Sequence, residues 1–442
     1  MSAEIQSQVV RRNFQLGVVN GLLFLLAETL MDPTLVLVAF VSHLTHSPLL
    51  LGLVVPLRDG SWFLPQLWVA SYQQRQPRKL RLYNRMAVVR VVGWTLLATS
   101  VFIIKDSRWL LAAFFLAFGT SALAAGFSGL PFLEVVAKTV PPKRRGEFFA
   151  WRQTVGGLAG VGASFVVRWL LDEQGPLAFP YNFGVLFALG LLSASLGLAA
   201  FARVVEPPDR PAPQRVPLLA QLRRARQFVR ADSNYRHFLF LRSALMVAGA
   251  ATPFFAVFVQ QQLGGSLSMV GVYLATATGS SLLANISFAR FSARLGNRRT
   301  LLIAAGMGLV MTARVLALVL LAGPLSLSGR AASLWLIPVF VLSGIRESGI
   351  GVAGQSLLMD IAPPAERSLY MGFTSTWLGV VLLATGGSGL IVARFGFGAL
   401  IVLAFAASLF ALYAALRVEE VAHAPLAEAD LTQAISEVHP AP

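Results

Sequence analysis

A chain of 442 residues that is 56% hydrophobic and only 13% charged, with a mean hydropathy of +0.68, lies outside the range of water-soluble proteins and reads as a polytopic membrane protein. A net charge of +16 would suggest nucleic acid in a soluble chain, but here the positive charges gather in a few short loops, where they act as topology signals beside anionic lipid. The absence of cysteine excludes a disulfide framework and thiol chemistry.

The opening stretch, MSAEIQSQVVRRNF, has no cleavable signal pattern, so insertion is expected to be directed by the first apolar span. Runs of about 20 or more apolar residues between charged or turn-rich breaks predict twelve spans. Six come first, at roughly 14–42, 48–71, 83–104, 108–138, 147–171 and 181–202. Six more follow at 236–260, 266–292, 299–322, 332–360, 367–394 and 396–417. The first, fourth, eighth, tenth and eleventh are long for a bilayer core of ~30 Å, which predicts tilt, kinks or overhang. The chain therefore divides into a six-helix half, 1–202, a linker, 203–235, a second six-helix half, 236–418, and an acidic tail, 419–442, expected to be disordered or weakly helical.

The linker itself has two parts. Pro207, Pro208, Pro211, Pro213 and Pro217 exclude a helix and predict an exposed tether. Leu218, Leu219, Leu222, Ala225 and Phe228 then recur at helical spacing among Arg223, Arg224, Arg226 and Arg230, the pattern of a basic amphipathic helix on a membrane surface. Placing the N-terminus in the cytoplasm puts 25 of the 36 basic residues on that side and only five on the other. Both termini and the linker are thus expected inside, and 32 arginines against four lysines suggest a GC-rich bacterial source and its inner membrane.

The two halves repeat. Pro141-Pro142 after span four recurs as Pro363-Pro364 after span ten, Asn13-Phe14 as Asn234-Tyr235, and Pro33 as Pro253, all at offsets of 220 to 222. The basic run Arg75-Gln76-Pro77-Arg78-Lys79 after span two recurs as Arg294-Leu295-Gly296-Asn297-Arg298 after span eight. Landmarks at one offset indicate a 6+6 duplication in parallel orientation.

With this loop the chain resembles the major facilitator superfamily over essentially its whole length. The family's loop signature, roughly G-x-x-x-D-R-x-G-x-R-R, is legible from Ala289 to Arg299, with Arg294, Gly296, Arg298 and Arg299 matching and alanines at 289 and 293 in place of the glycine and aspartate. In the first half Arg75, Arg78 and Lys79 follow Gln74, which stands where the aspartate would be. The resemblance implies an all-α fold of twelve transmembrane helices in two halves, a gate at these loops, and a central cavity lined by spans one, four, seven and ten.

A charged side chain near the bilayer centre costs at least ~2.5 kcal/mol, so each one calls for a partner, a wet cavity or a function. Span one carries Glu28 and Asp32 on one helix face, followed by Pro33, which frees backbone groups for hydration. Two like charges one turn apart oppose simultaneous ionisation, which suits a proton carrier, and the pair is the first candidate for proton coupling; partners of buried arginines is the structural alternative. Arg58, Asp59, Arg314, Arg346 and Glu347 lie nearest the midplane and are the candidate substrate-cavity residues. Because sequence neighbours on a helix point about 100° apart, Arg58 and Asp59, like Arg346 and Glu347, are expected to reach other helices rather than each other. Arg90, Arg152, Arg242 and Glu134 lie nearer the cytoplasmic ends, where snorkelling or a gate bridge is favoured. Glycines 156, 157, 160 and 162 in span five and 379, 386, 387 and 389 in span eleven read as helix-packing positions, and no proline accompanies the former as the family's antiporter motif would require. Phe24, Trp62, Trp94, Trp151, Tyr273 and Trp377 are cavity or packing aromatics.

No lysine follows a glycine, so a phosphate-binding P-loop is absent. The five histidines form no metal-ligand cluster, and no nucleophile and base pair stands out, so no cofactor, metal or enzymatic activity is expected. The expected activity is secondary transport driven by the proton gradient, with Glu28 or Asp32 titrating and a small organic molecule exported. The partners are then the solute, protons and the lipid bilayer, with no nucleic acid and a monomeric state. Uptake of an anionic metabolite is the alternative, since six intramembrane arginines offer a carboxylate or phosphate clamp. A lipid flippase, or a membrane sensor signalling through the linker helix, is the alternative of another class.

Overall fold

The computed structural model describes residues 3–63, 65, 68–69, 72, 76–141, 144–208, 227–327, 329–363 and 366–420. Among these residues no strand occurs and fourteen helices follow one another. Helices α1 (Ala3–Leu30) and α2 (Val36–Leu44) form a broken first span, and α3 (Pro48–Phe63) the described part of the second. Spans three to six are α4 (Leu80–Ile103), α5 (Ser107–Thr139), α6 (Arg145–Leu170) and α7 (Tyr181–Ala202). Span seven is again broken, into α8 (Ser233–Gly249) and α9 (Thr252–Leu263). It is followed by α10 (Met269–Leu295), α11 (Asn297–Leu321), α12 (Gly329–Ile361), α13 (Arg367–Thr385) and α14 (Ser388–Arg417). Nine helical segments among the described residues are long and apolar enough to cross a membrane, and Leu369–Thr385 is a shorter apolar one. Over their described residues the predicted spans coincide with helices or broken pairs of helices, even where hydropathy is diluted, as in α6 with its four charged residues.

The predicted boundary between spans eleven and twelve falls on Gly396, whose φ of 80° interrupts α14. The sequence reading placed no break inside span eleven, but the helix stops at Thr385 and restarts at Ser388 after the Gly386-Gly387 turn. Spans one, seven and eleven are thus each broken beyond their midpoint. The first two breaks lie at prolines, which cannot donate to the preceding turn, and the third at a pair of glycines. The basic amphipathic helix expected in the linker, between 218 and 230, lies mostly outside the described residues, as does the tail beyond 420.

The duplication is repeated in the contacts. Asn13 exchanges two hydrogen bonds with the backbone of Val205, both at 3.0 Å, and Asn234 does the same with Glu419, at 3.1 and 2.8 Å. The next residue, Glu206, accepts from the first backbone N–H groups of α4, at Lys79 and Leu80, and Glu420 accepts from that of Arg298 in α11. A Cβ at Gly126 would lie 1.9 Å from the carbonyl oxygen of Ser61, and one at Gly344 would lie 2.1 Å from that of Ala277. Only glycine permits so close an approach of span four to span two and of span ten to span eight.

The described chain ends near residues 3 and 420, the described flanks of the linker at 203–208 and 227–232 and these polar contacts define one end of the bundle. At the opposite end a single apolar core joins both halves, with Val36–Val41 of α2, Phe114, Phe183 and Phe187 packed alongside Phe254–Val259 of α9 and Phe340. At the linker end the core splits in two, one cluster around Phe14, Tyr83, Phe148 and Phe201 and another around Tyr235, Leu301, Leu357 and Tyr370. The halves meet along spans five and eight and along spans two and eleven. Their far ends are clamped: a Cβ at Gly389 would lie 2.0 Å from the Pro48 carbonyl oxygen, and one at Gly271 2.4 Å from the Arg168 backbone nitrogen. Outward-facing apolar residues such as Leu116 and Ile103, both 75% exposed, form the lipid-facing surface. The bundle is closed at the far end and parted at the linker end.

Candidate substrate cavity

The break in span one positions its two acids differently. Asp32 stands past the last residue of α1, where its Oδ1 accepts the backbone N–H groups of Thr34 (3.0 Å) and Leu35 (2.8 Å) and so caps the turn leading into α2. Glu28, still in the last turn of α1, faces span two and pairs with Arg58. Arg58 also donates to Asp59 Oδ1 at 3.0 Å. One guanidinium therefore serves two carboxylates from two helices, and all three side chains are about one-third exposed, at 34 to 36%. The trio carries a net negative charge that one proton would cancel.

The expectation that neighbours along a helix do not pair is corrected at both places. Arg58 binds Asp59 as well as crossing to Glu28, and Arg346 binds Glu347 as well as crossing to the Leu245 carbonyl of α8. The arginine stem is long enough to bring the fork round the 100° offset while a second nitrogen reaches the next helix. Arg346 is only 2% exposed and fills a slot next to Gly249 and Gly308, where a Cβ would approach it to 3.3 and 3.1 Å. Its partner Glu347, 59% exposed, is left at the cavity surface.

These groups line a cavity of about 730 Å³ between the halves, large enough for a drug-sized molecule. Glu28, Arg58, Asp59, Arg346 and Glu347 are on its wall, with Phe24 and Trp62. Asp32 lines a second cavity of about 370 Å³ that shares Glu28, Arg58 and Glu347 with the first. Arg314 lines neither, because its guanidinium lies 5.1 Å over the ring of Trp335, whose indole N–H donates back to the Arg314 carbonyl. Of the other aromatics, Trp151 is 52% exposed, Trp377 donates its indole N–H to Ser243 Oγ of α8 at 2.9 Å, and Tyr273 is buried with its hydroxyl on the Ser333 carbonyl.

Three arginines assigned from sequence to the helix ends are on the same wall: Arg90, Arg152 and Arg242. Depth along the helix is the signal that locates them. Their helices begin at Leu80, Arg145 and Ser233, several residues before the apolar runs do, so at 1.5 Å per residue the three lie roughly 10–15 Å into the bundle.

At the linker end, Lys79 is 5% exposed and lies 3.8 Å from Glu134 of span four, with Nζ also donating to the Gln76 carbonyl. In the second half Asn297 takes this place, donating to Asp360 of span ten at 2.7 Å. Gly296 turns the chain with φ at 89°, a conformation that favours glycine, and a Cβ there would displace the Glu420 carboxylate, 1.9 Å away. Arg298 donates to the Leu416 carbonyl, while Arg78, Arg294 and Arg299 are exposed. Arg75 lies outside the described residues.

The sequence model of the Major Facilitator Superfamily matches residues 17–322. No curated protein matches the sequence. Among solved structures, the nucleoside transporter NupG is similar with a TM-score of 0.70 at 14% identity, covering 92% of this chain and 100% of its own. A D-xylose–proton symporter follows at 0.68 and 15%, covering 94% and 98%. A bacterial homologue of the iron transporter ferroportin, in an inward-facing state, stands at 0.67 and 14%, covering 92% and 98%. At these identities the likeness shows the fold alone. The chain is a multi-pass membrane protein that belongs to the Major Facilitator Superfamily.

Proposed function

We propose that the protein is a proton-coupled carrier that exports a small organic molecule by alternating access, from a bacterial inner membrane in which both termini are cytoplasmic. The observation that carries the reading is the sharing of Arg58 by Glu28 and Asp59 on the wall of the cavity between the halves. A proton on Glu28 removes one of the two claims on Arg58 and cancels the net charge of the trio. The site then has two charge states that differ in how they hold a solute and in how readily they enter the low-dielectric closed form. The likeness in fold to a D-xylose–proton symporter supports the proton-coupled reading.

In this reading the parted linker end faces the cytoplasm, where a solute enters. The breaks at Asp32, Ala250 and Gly386 act as hinges through which the far end opens as the two linker-end cores close against each other. Each charge that moves inward through the field contributes ~2.3 kcal/mol per 100 mV, so exchange of one solute for one proton concentrates the solute outside.

The test uses protein reconstituted in vesicles with an imposed pH gradient and a mixture of radiolabelled organic acids, bases and neutral solutes. Wild type should drive one solute against its gradient, while Glu28→Gln should keep solute exchange and lose the gradient-driven component. Equal gradient dependence in both proteins would remove Glu28 as the coupling group. Movement of labelled lipid with no soluble compound would replace the carrier by a lipid flippase.

A further inference from the structure

The cavity carries more positive charge than its carboxylates neutralise. Five arginines (58, 90, 152, 242 and 346) face three carboxylates (28, 59 and 347), a formal excess of two positive charges inside a membrane protein. The carboxylates are all engaged by Arg58 and Arg346, and among the described residues no carboxylate pairs with Arg90, Arg152 or Arg242. The surplus therefore resides in these three.

Two of the three belong to one group in the first half. Arg152 of span five lies 4.7 Å over the ring of Phe132, and among the described residues only its Nη1 is used, on the Gly17 carbonyl and Asn20 Oδ1. Arg90 of span three lies 5.1 Å over the ring of Phe24, and its Nε is buried with no hydrogen-bond partner. Tyr83 and Asn20 line the same cavity as both guanidinium groups. The cluster thus presents two charged forks, a phenol and a carboxamide beside two aromatic faces. Arg242 reaches the same cavity from the opposite half with a single backbone acceptor, the Ile350 carbonyl at 3.3 Å. Planar forks with unused donors match carboxylate and phosphate oxygens, and aromatic faces match an apolar body attached to them.

We propose that Arg90 and Arg152, with Tyr83 and Asn20, form an oxyanion-binding subsite, and that the transported solute is a small organic anion whose carboxylate or phosphate is held there while its apolar body lies against Phe24 and Phe132. The proposal rests on the carrier reading above and names its substrate class. Arg242 supplies the field from the other half that draws the halves together over a bound anion, whereas an empty cavity keeps two like-charged walls apart.

The experiment measures binding of four probes with a common aromatic body, benzoate, phenyl phosphate, benzyl alcohol and benzylamine, to the purified full-length protein by thermal stabilisation and calorimetry. Wild type should be stabilised by benzoate or phenyl phosphate and not by the alcohol or the amine. Which of the two anions binds more tightly distinguishes a carboxylate from a phosphate headgroup. Losing one charge-assisted hydrogen bond weakens binding by roughly 10- to 150-fold, so Arg152→Gln and Arg90→Gln should each lose that much, with Arg152→Lys retaining part of it. Should Arg152→Gln not fold, Arg90→Gln reads the same subsite. Stabilisation by the alcohol or the amine equal to that by the anions, no stabilisation by either anion, or undiminished anion binding in Arg90→Gln overturns the proposal. Vesicle exchange separates it from the carrier reading. Arginine-dependent anion binding without exchange of the bound anion leaves the subsite and removes the carrier. Exchange of a neutral or cationic solute that persists in Arg90→Gln leaves the carrier and removes the subsite.

Discussion

Replacing Gly389 by alanine tests how the far end is closed. The added Cβ would lie 2.0 Å from the Pro48 carbonyl oxygen and 2.6 Å from the Leu49 Cα, both backbone atoms that cannot rotate away. Restoring an ordinary contact of 3.4 Å requires the ends of spans two and eleven to part by about 1.4 Å. Overpacking of this kind costs roughly 1–3 kcal/mol, charged against the form closed at the far end and not against the form open there. The population open at the far end should therefore rise about 5- to 150-fold. The chain contains no cysteine, so one introduced thiol reports without background. Val55→Cys lies on the cavity wall, and a membrane-impermeant maleimide added at the far side should label it faster by that factor in the Gly389→Ala protein. Gly306→Ala, at a position with no atom within 4 Å of the added Cβ, is the control and should leave the rate unchanged. An unchanged rate in Gly389→Ala would refute closure by the contact of span two with span eleven.

Other substitutions separate the roles of the charged residues. Arg58→Gln leaves Glu28 and Asp59 together without a cation and should destabilise by about 1–3 kcal/mol, less than the ~3–5 kcal/mol of a fully buried pair because each side chain is one-third exposed. Adding Glu28→Gln should recover part of the thermal unfolding shift, and an additive double mutant would refute the pairing. Asp32→Ala removes the acceptor for Thr34 and Leu35 and should cost roughly 0.5–2 kcal/mol in thermal unfolding, while Asp32→Asn, which keeps an oxygen there, should cost less. Equal losses in the two variants would show that charge rather than capping is at stake. Glu206, with a side chain 1% exposed, holds two backbone N–H groups and Lys138 Nζ at 2.7 Å, so Glu206→Ala should lower stability by about 3–5 kcal/mol. A melting temperature within 1 °C of wild type, well below the ~2–4 °C that each kcal/mol brings in a domain of this size, would exclude that role.

The fold was legible because its determinants are local or repeat. Apolar run length sets the spans, and Asn13 and Asn234, one offset apart, make the same reciprocal bond at the start of each half. Proline announced two of the three broken spans; the Gly386-Gly387 turn gave no such notice, because paired glycines read equally as packing positions. The site was less legible. Depth singled out Glu28, Arg58, Asp59, Arg346 and Glu347, which line the cavity, and also Arg314, which does not, and the partner of a long arginine depends on the neighbouring helix, which no single stretch of sequence contains. Arg346 shows this, since its slot is made by Gly249 and Gly308 from two other spans. Arg90, Arg152 and Arg242 were placed at the helix ends because charge ends an apolar run before it ends a helix.

Alternating access between the two halves is the central claim, and paired distance measurements test it most directly. Spin labels at Leu133→Cys and Met359→Cys report the linker end, and labels at Lys105→Cys and Arg330→Cys the far end. Each pair is measured by pulsed electron resonance in wild type and in Gly389→Ala, at pH 5.5 and 8. The account predicts that the Gly389→Ala background shortens the linker-end distance and lengthens the far-end distance in one and the same population. A far end that lengthens while the linker end stays fixed, or a single unchanged distance at both ends under every condition, would contradict it.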